Sequence, residues 1–294
     1  MAIRTSPEPP EDASRSGILR QLKLALSKGM VVSALLALGA IAFIAVCAPF
    51  LATVDPTAID PGARLGRISG AHWLGTDAFG RDVYSRVLYG ARVSLVVGLG
   101  AALVSVTLGL AIGAVAGYFR ATDGVIMRLM DGVMAIPGIL LAIALVALSG
   151  ASIGAVVAAI SMPEIPRVVR LVRSVILTIR YEPYVEAAIA LGTRAPTLLL
   201  RHIVPNTIPP IIVQGTFIFA SAMLTEASMS FLGVGLPPEI PSWGNIMAEG
   251  RIYFQLLPGL ILYAGVCLAS TVLSVNVLGD VMRDALDPRL GHKL

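Results

Sequence analysis

The sequence predicts an all-α integral membrane protein. Of 294 residues, 56% are hydrophobic and only 14% charged, and the mean hydropathy is +0.83, far above the range of a soluble globular chain. Several uncharged runs reach the length of about 20 residues needed to cross a hydrocarbon layer of about 30 Å. The alternating pattern of an outer-membrane barrel is missing. Backbone amides cannot go unpaired in lipid, so helices are the element that remains.

Residues 1–29 form a polar, proline-rich tail followed by GILRQLKLALSK, where Ile18, Leu22, Ala25 and Leu26 share one helical face beside basic residues. This predicts an amphipathic helix lying on the membrane surface. The first span is Met30–Leu51. Residues 52–91 then leave the membrane through the turn-rich VDPTAIDPG and HWLGTDAFGRDVYSRVLYGARVSL. Tyr84, Val87 and Leu88 there have helical spacing, and Trp73 suits a membrane interface. Asp77, Arg81 and Asp82 read as a solvated helix start, the ordinary place for scattered charges.

The second span, Val93–Phe119, carries Gly109, Gly113 and Gly117 at four-residue spacing, a strip that lets another helix approach closely. Gly132–Pro163 is too long for one crossing, and SGASIG at its middle predicts a hairpin, which brings the count to six spans. Pro163 and Pro166 bracket Glu164 and are expected to disturb the fourth. Arg167, Arg170 and Arg173 follow at three-residue intervals, spaced to snorkel toward lipid phosphates. The remaining spans are Ile203–Thr225 and Ile252–Gly279. Residues 92–282 thus form a five-helix core, and 283–294 a tail.

With that hairpin, 16 of the 22 Lys and Arg residues fall on one side. By the positive-inside rule both termini are cytoplasmic. Cys47 and Cys267 lie inside predicted spans and read as buried apolar side chains.

The stretch VEAAIALGTRAPTLLLRHIVPN, Val185–Asn206, is a polar interruption between two spans. Pro183 suits a first helical turn, and Tyr184, Ala187, Ala188 and Leu191 share a face with helical spacing. Gly192 suits a left-handed stop. Thr193 is placed to cap a second short helix with Pro196 in its first turn and Pro205 as its stop. The result is a cytoplasmic elbow, too short to span, from which Glu186 projects.

At these residues the chain resembles the permease subunits of bacterial ATP-binding-cassette importers. Glu186-Ala187-Ala188, Gly192 and Ile203-Val204-Pro205 are similar to their EAA motif, with Val204 where leucine is usual. HWLGTDAFGRDVYSRVLYGARVSL, SFLGVGLPPEIPSWGNIMAEGR (Ser230–Arg251) and VMRDALDPRL resemble the dipeptide, oligopeptide and nickel branch. The likeness covers roughly residues 30–290, and departs from the family at Pro163/Pro166, where an aromatic-containing WPGY-like pattern is common.

The resemblance implies a type I, MetI-like permease fold in the bacterial inner membrane, with a coupling loop over 180–205. Tyr184, Glu186, Ala187, Ala188, Gly192, Arg194 and Pro205 would meet an ATPase subunit there. It implies a second permease chain, two ATPase subunits that bind ATP and magnesium, an extracytoplasmic binding protein and a short peptide as cargo, with nickel or another small solute as the alternative. No GxxxxGK[ST] phosphate loop occurs in this chain, so no cofactor is expected in it and energy must come from partners. No nucleic-acid partner is expected either.

Phe219, Met223, Glu226 and Met229 on the fifth span are candidates to line the pathway. Glu226, a carboxylate at bilayer depth, could instead serve a gradient-driven carrier, or be held by a hydrogen bond at the helix end. The three histidines, His72, His202 and His292, are too scattered for an enzyme site, and no catalytic or metal cluster is apparent.

Overall fold

The computed structural model describes residues 29–286. The amphipathic helix expected within residues 18–28 and the tail beyond residue 286 lie outside that range. The described residues form α1 (Gly29–Leu51), α2 (Val83–Tyr118), α3 (Arg120–Met134), α4 (Gly138–Ser149), α5 (Ile153–Ile179), α6 (Pro183–Ala190), α7 (Ala195–Leu198), α8 (Ile208–Phe231), α9 (Trp243–Ile252) and α10 (Gly259–Leu286). Among them the only β pairing is an isolated bridge between Thr76 and Asp82.

The 36-residue α2 is the axis of the molecule. It takes in the whole stretch from Val83, so the short outer helix expected around Tyr84 is its first turns and not a separate element. Its most extensive packing is against α5, and the glycine strip makes this possible. A Cβ on Gly109 would collide with Val168. On Gly113 it would lie 2.8 Å from Val172 Cβ, and on Gly117 2.9 Å from Ile176 Cβ. The close approach permitted by the strip is thus used within this chain.

Among the described residues, four helical stretches are long and apolar enough to cross a membrane: Gly29–Leu51, Val83–Tyr118, Ala195–Phe231 and Gly259–Leu286. A fifth arises if α3 and α4, bent by 87° between them, count as one. The expected six is not reached by this measure, because α5, although 27 residues long, carries Glu164 and three arginines. The hairpin between α4 and α5 forms as expected, with Gly150 at φ 84° and Ser152 capping α5 through Ala155 N–H. The last span begins at Gly259 and not Ile252, since the residues up to Ile252 form the separate α9.

Helix α5 runs without a break in its assignment through Pro163 and Pro166, contrary to expectation. It packs closely on α2, where Ser105 Oγ donates to the Ser161 carbonyl at 3.4 Å, while the Ser161 hydroxyl donates to the Val157 carbonyl within α5 at 2.6 Å. The arginines beyond have protein partners. Arg167 pairs with Glu164 at 2.8 Å, Arg170 with Asp131 at 2.6 Å and Arg173 with Asp123 at 2.5 Å. The last two tie α5 to α3, whose acids Asp123 and Asp131 fall about two turns apart on the facing side.

The buried side chains form three apolar clusters. One joins α1, α2, α8, α9 and α10 around Val87, Met223, Trp243 and Ala264. A second joins α2, α5, α6, α7 and α8 through Val172, Ile176, Val185, Ala188, Leu198 and Ile211. The third packs α2, α4, α5 and α8 around Val97, Ile160 and Met229.

Candidate coupling site

Helix α6 begins with Pro183 in its first turn and ends at a Schellman turn. Gly192 N–H donates to the Ile189 carbonyl at 2.9 Å and Thr193 N–H to the Ala188 carbonyl at 3.1 Å. Gly192 closes the turn at φ 79°, the left-handed conformation that glycine adopts without steric cost. The expected turn is therefore present.

The face shared by Tyr184, Ala187, Ala188 and Leu191 is divided. Ala188 is buried with Val185, and this inward stripe joins the cluster of Val172, Ile176 and Leu198. Tyr184, Ala187 and Leu191 point outward, as does Glu186. Leu191 is 86% exposed, with Ile189, Tyr181 and Leu200 also open. Two buried residues, about one per turn, root this short helix and leave the rest of its circumference free.

The second arm differs from expectation at both ends. Arg194, not Thr193, is its N-cap, and its side chain makes no capping bond. The arm does not stop at Pro205. Its single α turn passes into a π turn (Leu199–Ile203), a 3-10 turn (Val204–Thr207) and then α8. Pro205 lacks the amide a regular helix would need there, so the ladder changes step but the chain stays coiled.

Tyr184 and Asn206 connect the two arms: Asn206 Nδ2 donates to Tyr184 Oη at 3.1 Å and to the His202 carbonyl at 2.8 Å. Burial, with Glu182 nearby, pushes the Tyr184 phenol above its ordinary range, so it is protonated near neutrality. Asn206 carries no motif signal and was not singled out in the sequence.

The candidate pathway residues sit on α8. Met223, Glu226 and Met229 have no exposed surface, and Phe219 packs partly buried against two of the clusters. Glu226 Oε1 accepts from Ser230 Oγ at 3.0 Å and Ser242 Oγ at 2.8 Å, and Ser242 in turn caps α9 through Asn245 N–H. The hydrogen-bonded reading of Glu226 holds, and the bond links α8 to α9.

The segment between α1 and α2 is anchored by charges expected in solvent but buried in the fold. Asp77, Arg81 and Asp82 are all buried, as is Arg86. Arg81 Nε donates to Asp77 at 2.6 Å, its Nη2 to Glu249 of α9 at 2.6 Å and its Nη1 to the Pro238 carbonyl at 3.2 Å. Arg86 Nη2 reaches Glu249 at 3.3 Å. Asp82 caps α2, accepting from Ser85 N–H at 2.8 Å, Ser85 Oγ at 2.7 Å and Thr53 Oγ1 at 3.2 Å, and it pairs with His72 at 2.9 Å. Burial alone would raise its carboxyl; the bonds from Ser85, His72 and Thr53 together outweigh it and hold the group below the ordinary aspartate range. These partners come from 53, 72, 238 and 249, so no local pattern announces them. No His, Cys, Asp or Glu grouping among the described residues could hold a metal ion.

A helical membrane protein with a rooted elbow and a charge-clamped segment between its first two long helices is the class defined by this geometry. The sequence model of the family described as "Binding-protein-dependent transport system inner membrane component" matches residues 105–292. The "Probable peptide ABC transporter permease protein y4tQ" of Sinorhizobium fredii is 53% identical over 84% of this chain and 84% of its own length. The "Dipeptide transport system permease protein DppC" of Alkalihalophilus pseudofirmus is 38% identical over 97% of this chain and 94% of its own. The "Glutathione transport system permease protein GsiD" of Pectobacterium atrosepticum is 39% identical over 76% and 74%. The chain belongs to the binding-protein-dependent transport system inner membrane component family.

Proposed function

We propose that this chain forms half of the path by which a short peptide crosses the bacterial inner membrane, powered by ATP hydrolysed on partner subunits. One observation carries the coupling part of this reading. The elbow is rooted in the helix core through Val185 and Ala188 while it exposes Leu191, Ile189, Tyr184 and Glu186. An apolar patch beside a carboxylate, held on a stiff base, suits a protein partner that pushes it. The Lys and Arg distribution supports a cytoplasmic position for the elbow and both termini.

The assembly would hold a second permease chain, two ATPase subunits and an extracytoplasmic binding protein. The peptide class rests on the names of the relatives, two of which name a peptide or dipeptide and one glutathione. The test is co-purification with the ATPase subunits. Glu186→Lys should lower their recovery, and undiminished recovery would remove Glu186 from the contact. Uptake of a labelled dipeptide should be competed by unlabelled short peptides and not by a nickel chelate; the reverse result would reassign the cargo.

A further inference from the structure

Between the elbow and α8 the backbone is poorly braced. The π turn sends Val204 N–H to the Leu199 carbonyl, and Pro205, Pro209 and Pro210 have no amide hydrogen to give. A helix with ladder bonds missing or out of step bends more easily than a regular one. A push on the elbow would therefore flex this joint before it turned α8. Two side chains bridge the joint. Thr207 Oγ1 donates to the Val204 carbonyl at 2.7 Å. Asn206 reaches further, with one amide hydrogen on the His202 carbonyl inside the π turn and the other on Tyr184 Oη, 22 positions back on the first arm.

We propose that Asn206 is a positioning residue for transport: by tying Tyr184 to the π turn across the Gly192 bend, it closes the elbow and the root of α8 into one rigid triangle. The two arms meet at the Gly192 bend and in the apolar cluster beneath it; the Tyr184–Asn206 bond adds a further, polar connection between them. This inference rests on the elbow being the ATPase contact. It adds that the force passes along the Tyr184–Asn206 link and not only through the apolar root.

The experiment uses the complete transporter in proteoliposomes and reads labelled dipeptide taken up per ATP hydrolysed. Asn206→Leu keeps the size and removes both donors. It should lower that ratio by about two- to tenfold, the factor one neutral hydrogen bond can carry, while the ATPase subunits still co-purify. Tyr184→Phe should also lower the ratio, and the double variant should be no worse than Asn206→Leu alone, since that change already removes the Tyr184 bond. An unchanged ratio, additive losses, or loss of ATPase recovery in Asn206→Leu would overturn the proposal. Gly192→Pro separates the two readings. If it blocks uptake while Asn206→Leu is silent, only the brace is wrong; if it leaves uptake normal, the elbow reading itself fails and the brace with it.

Discussion

Arg81 and Glu249 lie 168 positions apart in the chain and 2.6 Å apart in space. Their pair fastens the outer segment to α9, and Arg86 and Asp77 complete the cluster beneath it. Removing one member of a buried set leaves charge without compensation. Glu249→Ala should therefore cost about 3–5 kcal/mol, seen as earlier thermal unfolding in detergent by Trp243 fluorescence. Replacing Arg81 and Glu249 together by Met and Leu should cost less than Glu249→Ala alone. Equal or larger loss in the double variant would mean that the pair contributes net stability.

Asp82 should make the outer segment acid-sensitive. Its carboxyl is held below the ordinary aspartate range, so its stabilisation is complete above about pH 4. It is lost as the pH falls through the lowered folded value. Melting temperatures of the native chain and Asp82→Asn should differ near pH 6 and converge toward pH 2. A gap that stays constant over that range would show that Asp82 acts through shape and not charge.

The glycine strip makes a paired prediction. A methyl on Gly113 would sit 2.8 Å from Val172 Cβ and 2.9 Å from the Val169 carbonyl, and overpacking of this kind costs about 1–3 kcal/mol. Gly124 in α3 has nothing within 4 Å of that position. Gly113→Ala should destabilise the protein, while Gly124→Ala should stabilise it by about 0.5–1 kcal/mol. Matching shifts in the two melts would show that the strip is not a contact surface.

Gly192 is constrained by its backbone and not by space, because a Cβ there would touch nothing. At φ 79° an alanine costs about 1–2 kcal/mol, and proline, fixed near φ −65°, cannot adopt the turn at all. Gly192→Ala should retain much of its peptide uptake. Gly192→Pro should lose uptake while still inserting in the membrane, which surface labelling of intact cells would check.

Much of the helical frame was legible. Apolar runs gave α1, the body of α2 and most of α8 and α10, because a segment that must satisfy its own amides in lipid has one conformation open to it. The elbow's first helix was legible too, since Pro183 and Gly192 act on the backbone beside them. Its second arm was misjudged: Pro205 changes the hydrogen-bond step without ending the coil, an outcome set by packing of Leu198 and Ile203 in the core.

The sequence by itself determined what is local: membrane residence, helix as the element, the Gly192 turn, and the close approach allowed along Gly109, Gly113 and Gly117. Only the tertiary structure decided which partner each charge meets. Arg170 and Arg173 found Asp131 and Asp123, Arg81 found Glu249, and Asn206 found Tyr184. Periodicity fixes the face on which a side chain lies, but an ion pair or a hydrogen bond needs a second group delivered by another part of the chain. That delivery is a property of the packed helices and not of any window along them.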